Sequence, residues 1–136
     1  MTDVLTLTLP GAFSWTRAKA LPGTIATKYG ARPRVGYSDD VLAKRALWAQ
    51  EVSRRVRQVK WQLGKGERYG VRIEIHAGGR LDSDRVMNAV LDALQNGGAI
   101  REDAVVDEGS WKRVRRPKGE KYADTFVNVW VSKLPA

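Results

Sequence analysis

The chain has 136 residues, of which 24 are Lys or Arg and 15 are Asp or Glu, so its formal net charge is +9. This length suits a single domain, residues 1–136, around one core. The absence of cysteine excludes disulfides, thiolate zinc sites and a cysteine nucleophile, and the single histidine excludes multi-histidine metal sites. The basic balance favours a polyanionic partner, with nucleic acid as the first expectation.

The N-terminal residues 1–12 have no basic lead before an apolar run, so we expect no signal peptide there. No stretch approaches the length of a membrane-spanning helix, and we expect no membrane partner. The lack of cysteine fits a reducing compartment. Together these features predict a cytoplasmic protein.

The first predicted strand covers residues 4–9, where Leu5, Leu7 and Leu9 form an apolar face by alternation. Residues 13–37 are rich in Gly, Pro and basic side chains, which predicts an ordered loop region with a short hairpin. Such a long irregular segment usually has a function. Its side chains could contact phosphates and unpaired bases, or its aromatic residues could simply cover the core. The residues concerned are Trp15, Arg17, Lys19, Lys28, Tyr29, Arg32 and Arg34.

Two amphipathic helices are predicted. Ser38 caps a helix over residues 39–60, with an apolar stripe at Trp48, Val52, Val56 and Val59 and a basic end. The basic end complements the helix dipole, and contact with DNA is the alternative. The second helix, residues 85–95, carries an apolar stripe at Met87, Val90, Leu91 and Leu94, and glycines end it.

Three further strands are predicted. Residues 69–76 alternate Val71, Ile73 and Ile75 with polar residues, among which His76 is expected to be solvated. Residues 110–116 carry basic side chains on both faces and therefore predict an edge strand, and residues 125–131 alternate again. The order of elements predicts an α+β or mixed α/β domain, with two main helices packed on a small sheet.

Carboxylates cluster around the second helix. Asp82 and Asp84 precede it, and Glu102 and Asp103 follow it. A chain returning after the glycines could bring these acids together, and converging carboxylates favour a divalent cation such as Mg²⁺ or Mn²⁺. The alternative is that Asp82 and Asp84 only cap the helix, with Ser83 or Asp84 as the capping residue.

The spacing of Asp82, Asp84, the Leu91-Asp92-Ala93-Leu94 segment, the glycine stop and Glu102-Asp103 resembles that of the RusA family of Holliday junction resolvases. The resemblance is strong over the central third of the chain and looser elsewhere. It implies a homodimeric, metal-dependent endonuclease that resolves four-way DNA junctions, with Asp82, Asp84 and Asp103 as catalytic metal ligands. The family is frequent in phages and prophages, which favours such an origin.

Two positions depart from the family pattern. Arg85 stands where the family usually has asparagine, and Asn88 stands where it has lysine. Because positions i and i+3 are neighbours on a helix, we hypothesise that Arg85 supplies the positive charge and Asn88 the amide. The alternative is a weakened or retired active site. Lys112 is a second candidate for stabilising phosphate charge.

Arg85 and the basic strand complete the expected DNA-binding set, whose further members are Lys112, Arg113, Arg115 and Arg116. Two other functions remain open. A non-catalytic module would bind branched DNA through its basic surface without regard to magnesium. A metal-dependent nuclease or nucleotide hydrolase would act on other substrates and would need no dimer.

Overall fold

The computed structural model describes residues 3–14, 19–28, 30–36, 38–116 and 120–135, and for 19–27 and 31–36 it describes the backbone alone. Its main elements follow in chain order as β1 (Val4–Pro10), β2 (Lys19–Thr27), β3 (Gly30–Gly36), α1 (Asp39–Gln58), β4 (Tyr69–His76), α2 (Ser83–Asn96), β5 (Val106–Val114) and β6 (Phe126–Lys133). Short 3-10 turns at Asp103–Val105 and Tyr122–Asp124 precede β5 and β6. The predicted α+β class is confirmed.

Four strands form one mixed sheet in the order β1-β6-β4-β5. β6 pairs antiparallel with both β1 and β4, whereas β4 and β5 are parallel. The segment predicted as a loop region with a short hairpin contains the longer hairpin β2–β3, which forms a separate two-stranded sheet. The strand predicted over residues 110–116 begins earlier, at Val106, and it is an edge strand of the four-stranded sheet.

Alternation along the strands produces the core, as predicted. Val71, Ile73 and Ile75 of β4 are at most 2% exposed, and the ladder pairs Ile73 with the equally buried Val129 of β6. Both helices pack on this face. α1 contributes Trp48 and Val52, and α2 contributes residues of its predicted stripe together with Val86, Ala89 and Ala93. No helix among the described residues is long and apolar enough to cross a membrane.

Ser38 caps α1 as predicted, and its hydroxyl accepts a hydrogen bond from the amide of Val41 at 3.3 Å.

The two helices approach closely at the end of α2. Between the helices, the guanidinium of Arg45 donates two hydrogen bonds to the Asp92 carboxylate at 2.7 and 3.0 Å. Gly97 follows α2, and a Cβ there would lie 2.5 Å from Cβ of Val52.

The other face of the sheet has no helix packed on it among the described residues. Alternation directs Arg72, Glu74 and His76 of β4 to this side, beside Phe126, Asn128 and Trp130 of β6. Because β4 and β6 are the two central strands, these six residues form the middle of a surface, here called the open face, in which Arg72 is exposed and the other five residues are half-buried.

Gly97→Ala should destabilise the protein by about 1–3 kcal/mol, because the added methyl group enters the tightly packed contact between α1 and α2. Gly97 has φ of −87°, so backbone strain does not contribute. Gly109→Ala is the matched control, since a Cβ there meets no atom within 4 Å. Urea unfolding midpoints measure both variants, and equal midpoints would contradict close packing at Gly97.

Candidate active site at the start of helix α2

The loop between β4 and α2 is held in place by Arg113 of β5. Its Nε donates to the carbonyl of Ala77 at 2.9 Å, Nη1 donates to that of Leu81 at 2.8 Å, and Nη2 donates to that of Gly78 at 2.9 Å. Nη1 also reaches the hydroxyl of Ser83 at 3.2 Å. Burial, with a smaller contribution from the neighbouring Arg115, lowers the pKa of the Arg113 guanidinium. All three nitrogen atoms are thus bonded within the protein, so Arg113 supports this loop, and its contact with DNA phosphate stays a prediction.

Asp82 is the N-cap of α2. Its Oδ1 accepts hydrogen bonds from the amides of Asp84 and Arg85 at 3.0 and 3.3 Å. Asp82 therefore caps the helix, whereas Ser83 and Asp84 do not cap it as suggested. The Asp82 side chain remains 52% exposed, and its Oδ2 lies 3.7 Å from Nε of Arg85. One oxygen of this carboxylate thus caps the helix, and the other lies beside the guanidinium of Arg85.

Asp84 lies within the first turn of α2 and is exposed. Its Oδ1 accepts a hydrogen bond from the indole Nε1 of Trp111 at 3.0 Å. Trp111 belongs to β5 and is 46% exposed, which is unusual for so large an apolar side chain. Trp111 is not among the site residues predicted from the sequence, although a tryptophan within an otherwise polar edge strand is a usable signal.

Arg85 and Asn88 are both exposed on α2. Their i, i+3 spacing makes them neighbours on the helix surface, and the ion pair between Arg85 and Asp82 puts the positive charge beside the candidate acids. The hypothesis that Arg85 supplies the positive charge and Asn88 the amide stays a prediction. Asp92, which belongs to the Asp-Ala-Leu segment of the resemblance, instead bonds Arg45 between the helices.

Asp103 lies at the opposite end of the sheet from Asp82 and Asp84. Because β4 and β5 are parallel, α2 runs back along the sheet between them, and the turn at Asp103–Val105 lies beside the start of β4. The guanidinium of Arg68, just before β4, donates to the carbonyl of Ala104 at 2.6 Å. At 1.5 Å rise per residue, the 14-residue helix separates its ends by roughly 20 Å. The predicted convergence of these three acids does not occur within one chain.

Asp107, four residues after Asp103, has a cationic partner. Arg68 forms a salt bridge with Asp107, with Nε 3.0 Å from each carboxylate oxygen. Hydrogen bonding to Arg68 lowers the pKa of Asp107, and the same contact raises the pKa of Arg68. In the part of the chain that the structure describes, no cluster of three or more His, Cys, Asp or Glu residues could hold a metal ion.

Lys112 does not lie beside the acids of its own chain. It pairs in register with Glu74, so its side chain lies on the sheet face away from the helices, whereas Trp111 pairs with the buried Ile73 and lies on the helix side. Lys112 thus lies on the other face of the sheet from Trp111, the partner of Asp84, and its expected stabilisation of phosphate charge stays a prediction. The physical reason for this placement is the alternation of side chains along β5.

The remaining DNA-binding candidates are dispersed. Arg116 pairs with Glu120 at 2.9 Å, and Glu120 also accepts from the amide of Gly78 at 2.9 Å, so this arginine supports the same loop. Arg115 and Lys28 are exposed. The backbones of Lys19, Arg32 and Arg34 lie in β2 and β3, where the structure does not describe side chains, and Trp15 and Arg17 lie outside the described residues.

Comparisons with known proteins do not assign a family. No family model matches the chain, and no curated protein matches it. Among solved structures, the hydrogenase maturation protein HypE in complex with ATP aligns with a TM-score of 0.34 and 13% sequence identity. That alignment covers 100% of this chain and 32% of the HypE chain. A likeness this weak supports no conclusion about fold or function.

Arg113→Met should destabilise the protein by about 2–4 kcal/mol, because the loop carbonyls lose several hydrogen bonds to a charged donor. Hydrogen exchange at the amides of Asp84 and Arg85 should also become faster, since the loop positions the Asp82 cap. Arg115→Met is the control and should shift stability by less than about 0.5 kcal/mol. Urea unfolding and hydrogen exchange together test this, and unchanged amide protection in Arg113→Met would contradict the role assigned to Arg113.

Proposed function

We propose that this protein is a homodimeric, divalent-cation-dependent endonuclease that cuts four-way DNA junctions, as its resemblance to the RusA resolvases implies. The single observation that carries the proposal is the separation of the acids along β5. Asp82 and Asp84 lie near the end of this strand, and Asp103 lies just before its beginning. In a dimer whose two-fold axis passes through β5, the β5 strands of the two copies run in opposite directions. The start of one strand then lies beside the end of the other.

The edge of β5 is suited to pairing with a second copy of itself. β5 is the terminal strand of the four-stranded sheet among the described residues, and residues 107–112 are exposed. The strand reads Asp107-Glu108-Gly109-Ser110-Trp111-Lys112-Arg113, so acids precede Ser110 and bases follow it. In an antiparallel pair centred on Ser110, Glu108 faces Lys112 of the partner subunit on the same face of the sheet. Such opposite-charge pairs stabilise neighbouring strands.

The same pairing brings Asp103 of the partner subunit towards the end of the sheet that holds Asp82 and Asp84. The proposed site then has three carboxylates from two chains, and the dimer has two such sites related by its axis. Asp82 keeps an exposed oxygen, and Mg²⁺ is commonly held by only one or two carboxylates and several waters, so these donors fit the ion. Magnesium or manganese held there would act as a Lewis acid on the scissile phosphate and its attacking water.

The chain's own residues have distinct roles in this proposal. Arg85 lies beside Asp82 and supplies positive charge close to the bound phosphate. Trp111 fixes one oxygen of Asp84, which leaves the other oxygen for the cation. Arg113 holds the loop that carries both acids. Two equivalent sites account for paired, symmetrical cuts, which a single acidic cluster could not make at once.

Complementation between two inactive variants tests the composite site. Asp84→Asn and Asp103→Asn should each abolish Mg²⁺-dependent cutting of a labelled four-way junction. In an equimolar mixture, half of the dimers are mixed and each has one intact site, so about a quarter of the wild-type nicking rate should return. If all acids of a site came from one chain, mixing would restore nothing.

The controls separate cleavage from binding. Asp39→Asn alters a carboxylate at the start of α1 and should cut normally, and EDTA should stop the wild-type protein. A matched linear duplex should remain uncut. Tight junction binding without cleavage in Mg²⁺ and in Mn²⁺ would contradict the proposal and leave a structure-selective DNA-binding protein, in which Asp82 serves only as the observed helix cap.

Charge exchange tests the proposed pairing of β5. Lys112→Glu puts like charges opposite each other in the dimer and should weaken association at least about tenfold, as sedimentation equilibrium would measure. The double variant Glu108→Lys with Lys112→Glu exchanges the charges and should restore association. Failure of the double variant to recover, with its unfolding midpoint unchanged, would exclude this register.

A further inference from the structure

The open face has a composition that its own chain does not explain. A sheet face that packs against helices is aliphatic, as the buried face is here, yet the central strands present aromatic rings, the guanidinium of Arg72, the carboxylate of Glu74 and the amide of Asn128 to the other side. Trp130 and Phe126 are partly exposed, and Arg72 is exposed. The face is therefore neither a conventional polar surface nor an apolar interface.

Each aromatic ring of the open face is held by a neighbour across the strands. The guanidinium carbon of Arg72 lies 4.4 Å from the centroid of the Trp130 ring. The His76 ring stacks on Phe126, with centroids 4.3 Å apart and an interplanar angle of 13°. His76 also contacts the Glu74 carboxylate. These contacts fix the ring orientations before any ligand arrives, which reduces the entropic cost of binding.

Two shallow cavities lie on either side of Trp130, with volumes of about 400 and 520 Å³. The first is lined by Thr6, Thr8 and Asn128 together with Glu51, Arg54 and Arg55 of α1. Arg54 pairs with Glu51 at 2.8 Å, and Arg55 donates to the carbonyl of Thr6 and to the side chain of Gln58, which leaves further N–H groups of both arginines for phosphate. The second includes small residues on three strands, Gly70, Ser110 and Ser132, with the side chains of Glu108 and Leu134 close to Gly70, and its volume can hold a flat ring beside the indole. Hydroxyl and amide groups at their rims can hydrogen-bond the edges of such rings.

We propose that the open face binds an unpaired nucleic-acid strand, with bases stacked against Trp130 and Phe126 and phosphates held by Arg72 and the arginines of the first cavity. Aromatic side chains with adjacent cations are the combination that single strands require, and the net charge of +9 favours a polyanion. A second copy of this chain would bury the polar Glu74, Asn128 and Thr8. An acidic peptide would not need the aromatic rings of Trp130 and Phe126 for its recognition.

This binding site goes beyond junction cleavage, with which it shares only nucleic acid as the partner. It needs neither a metal ion nor a dimer, because Asp82 and Asp84 lie beyond the end of the sheet, at the start of a helix on its other face. Asp82→Asn should therefore keep this binding. A wild-type protein that binds the oligonucleotide but cuts no junction would count against the nuclease alone, and one that cuts junctions but does not bind the oligonucleotide would count against the open face alone.

Fluorescence polarisation with a labelled twelve-nucleotide oligothymidine in EDTA tests the proposal. Trp130→Leu keeps an apolar side chain but removes the stacking ring, and it should raise the Kd about tenfold. Phe126→Leu should act in the same direction and replaces Trp130→Leu if that variant fails to fold. Tyr122→Leu removes a 40% exposed aromatic ring outside the open face and should leave the Kd unchanged.

An abasic oligomer of the same length separates stacking from charge. It should bind the wild-type protein more weakly, and Trp130→Leu should bind it as the wild type does. The oligouridine analogue of the probe shows whether DNA or RNA is preferred, and tighter binding of either supports the site. Equal Kd values for wild type and Trp130→Leu with oligothymidine would overturn the proposal, as would competition by polyglutamate as strong as that by the oligonucleotide.

Discussion

The parallel pairing of β4 with β5 is the constraint on which the rest of this structure depends. Two parallel neighbours require a crossover, and α2 provides it, so the loop that precedes the helix lies at one end of the sheet and the turn that precedes β5 lies at the other. The pairing also makes β5 a terminal strand with an exposed edge. It therefore determines both where the acids lie and which surface is left for a partner.

Local patterns in the sequence were enough to predict most of the elements. Alternation gave the strand at Tyr69–His76 with the observed bounds, and the apolar spacing gave both helices with ends displaced by only a few residues. These signals come from side chains a few positions apart. The spacing of apolar residues along a strand does not indicate which other strand it pairs with. The parallel pairing of β4 with β5, and with it the separation of Asp103 from Asp82, could therefore not be predicted from these patterns.

The charges were harder to interpret than the apolar residues, because a guanidinium can serve the fold or a ligand. Arg113 and Arg116 were expected to contact DNA, yet one holds four groups of the β4–α2 loop and the other is paired with Glu120. Asp92 similarly bonds Arg45 between the helices. A motif in sequence records which residues lie near one another along a helix, whereas the three-dimensional partner decides which of them remain available for chemistry.

The two proposed surfaces, the start of α2 and the open face, lie on different parts of the molecule and carry different kinds of side chain. The loop and helix start carry carboxylates whose oxygens are partly engaged by the Asp82 cap and by Trp111, while the open face carries rings held by Arg72 and His76. Pairing of β5 with a second copy would continue the sheet across the two-fold axis and would join two open faces into one surface. Strands leaving a branch point could then cross that surface on their way to the two acidic sites. β5 would thus connect the binding of nucleic-acid strands with paired cutting, because its antiparallel pairing across the two-fold axis positions both the open faces and the acidic sites.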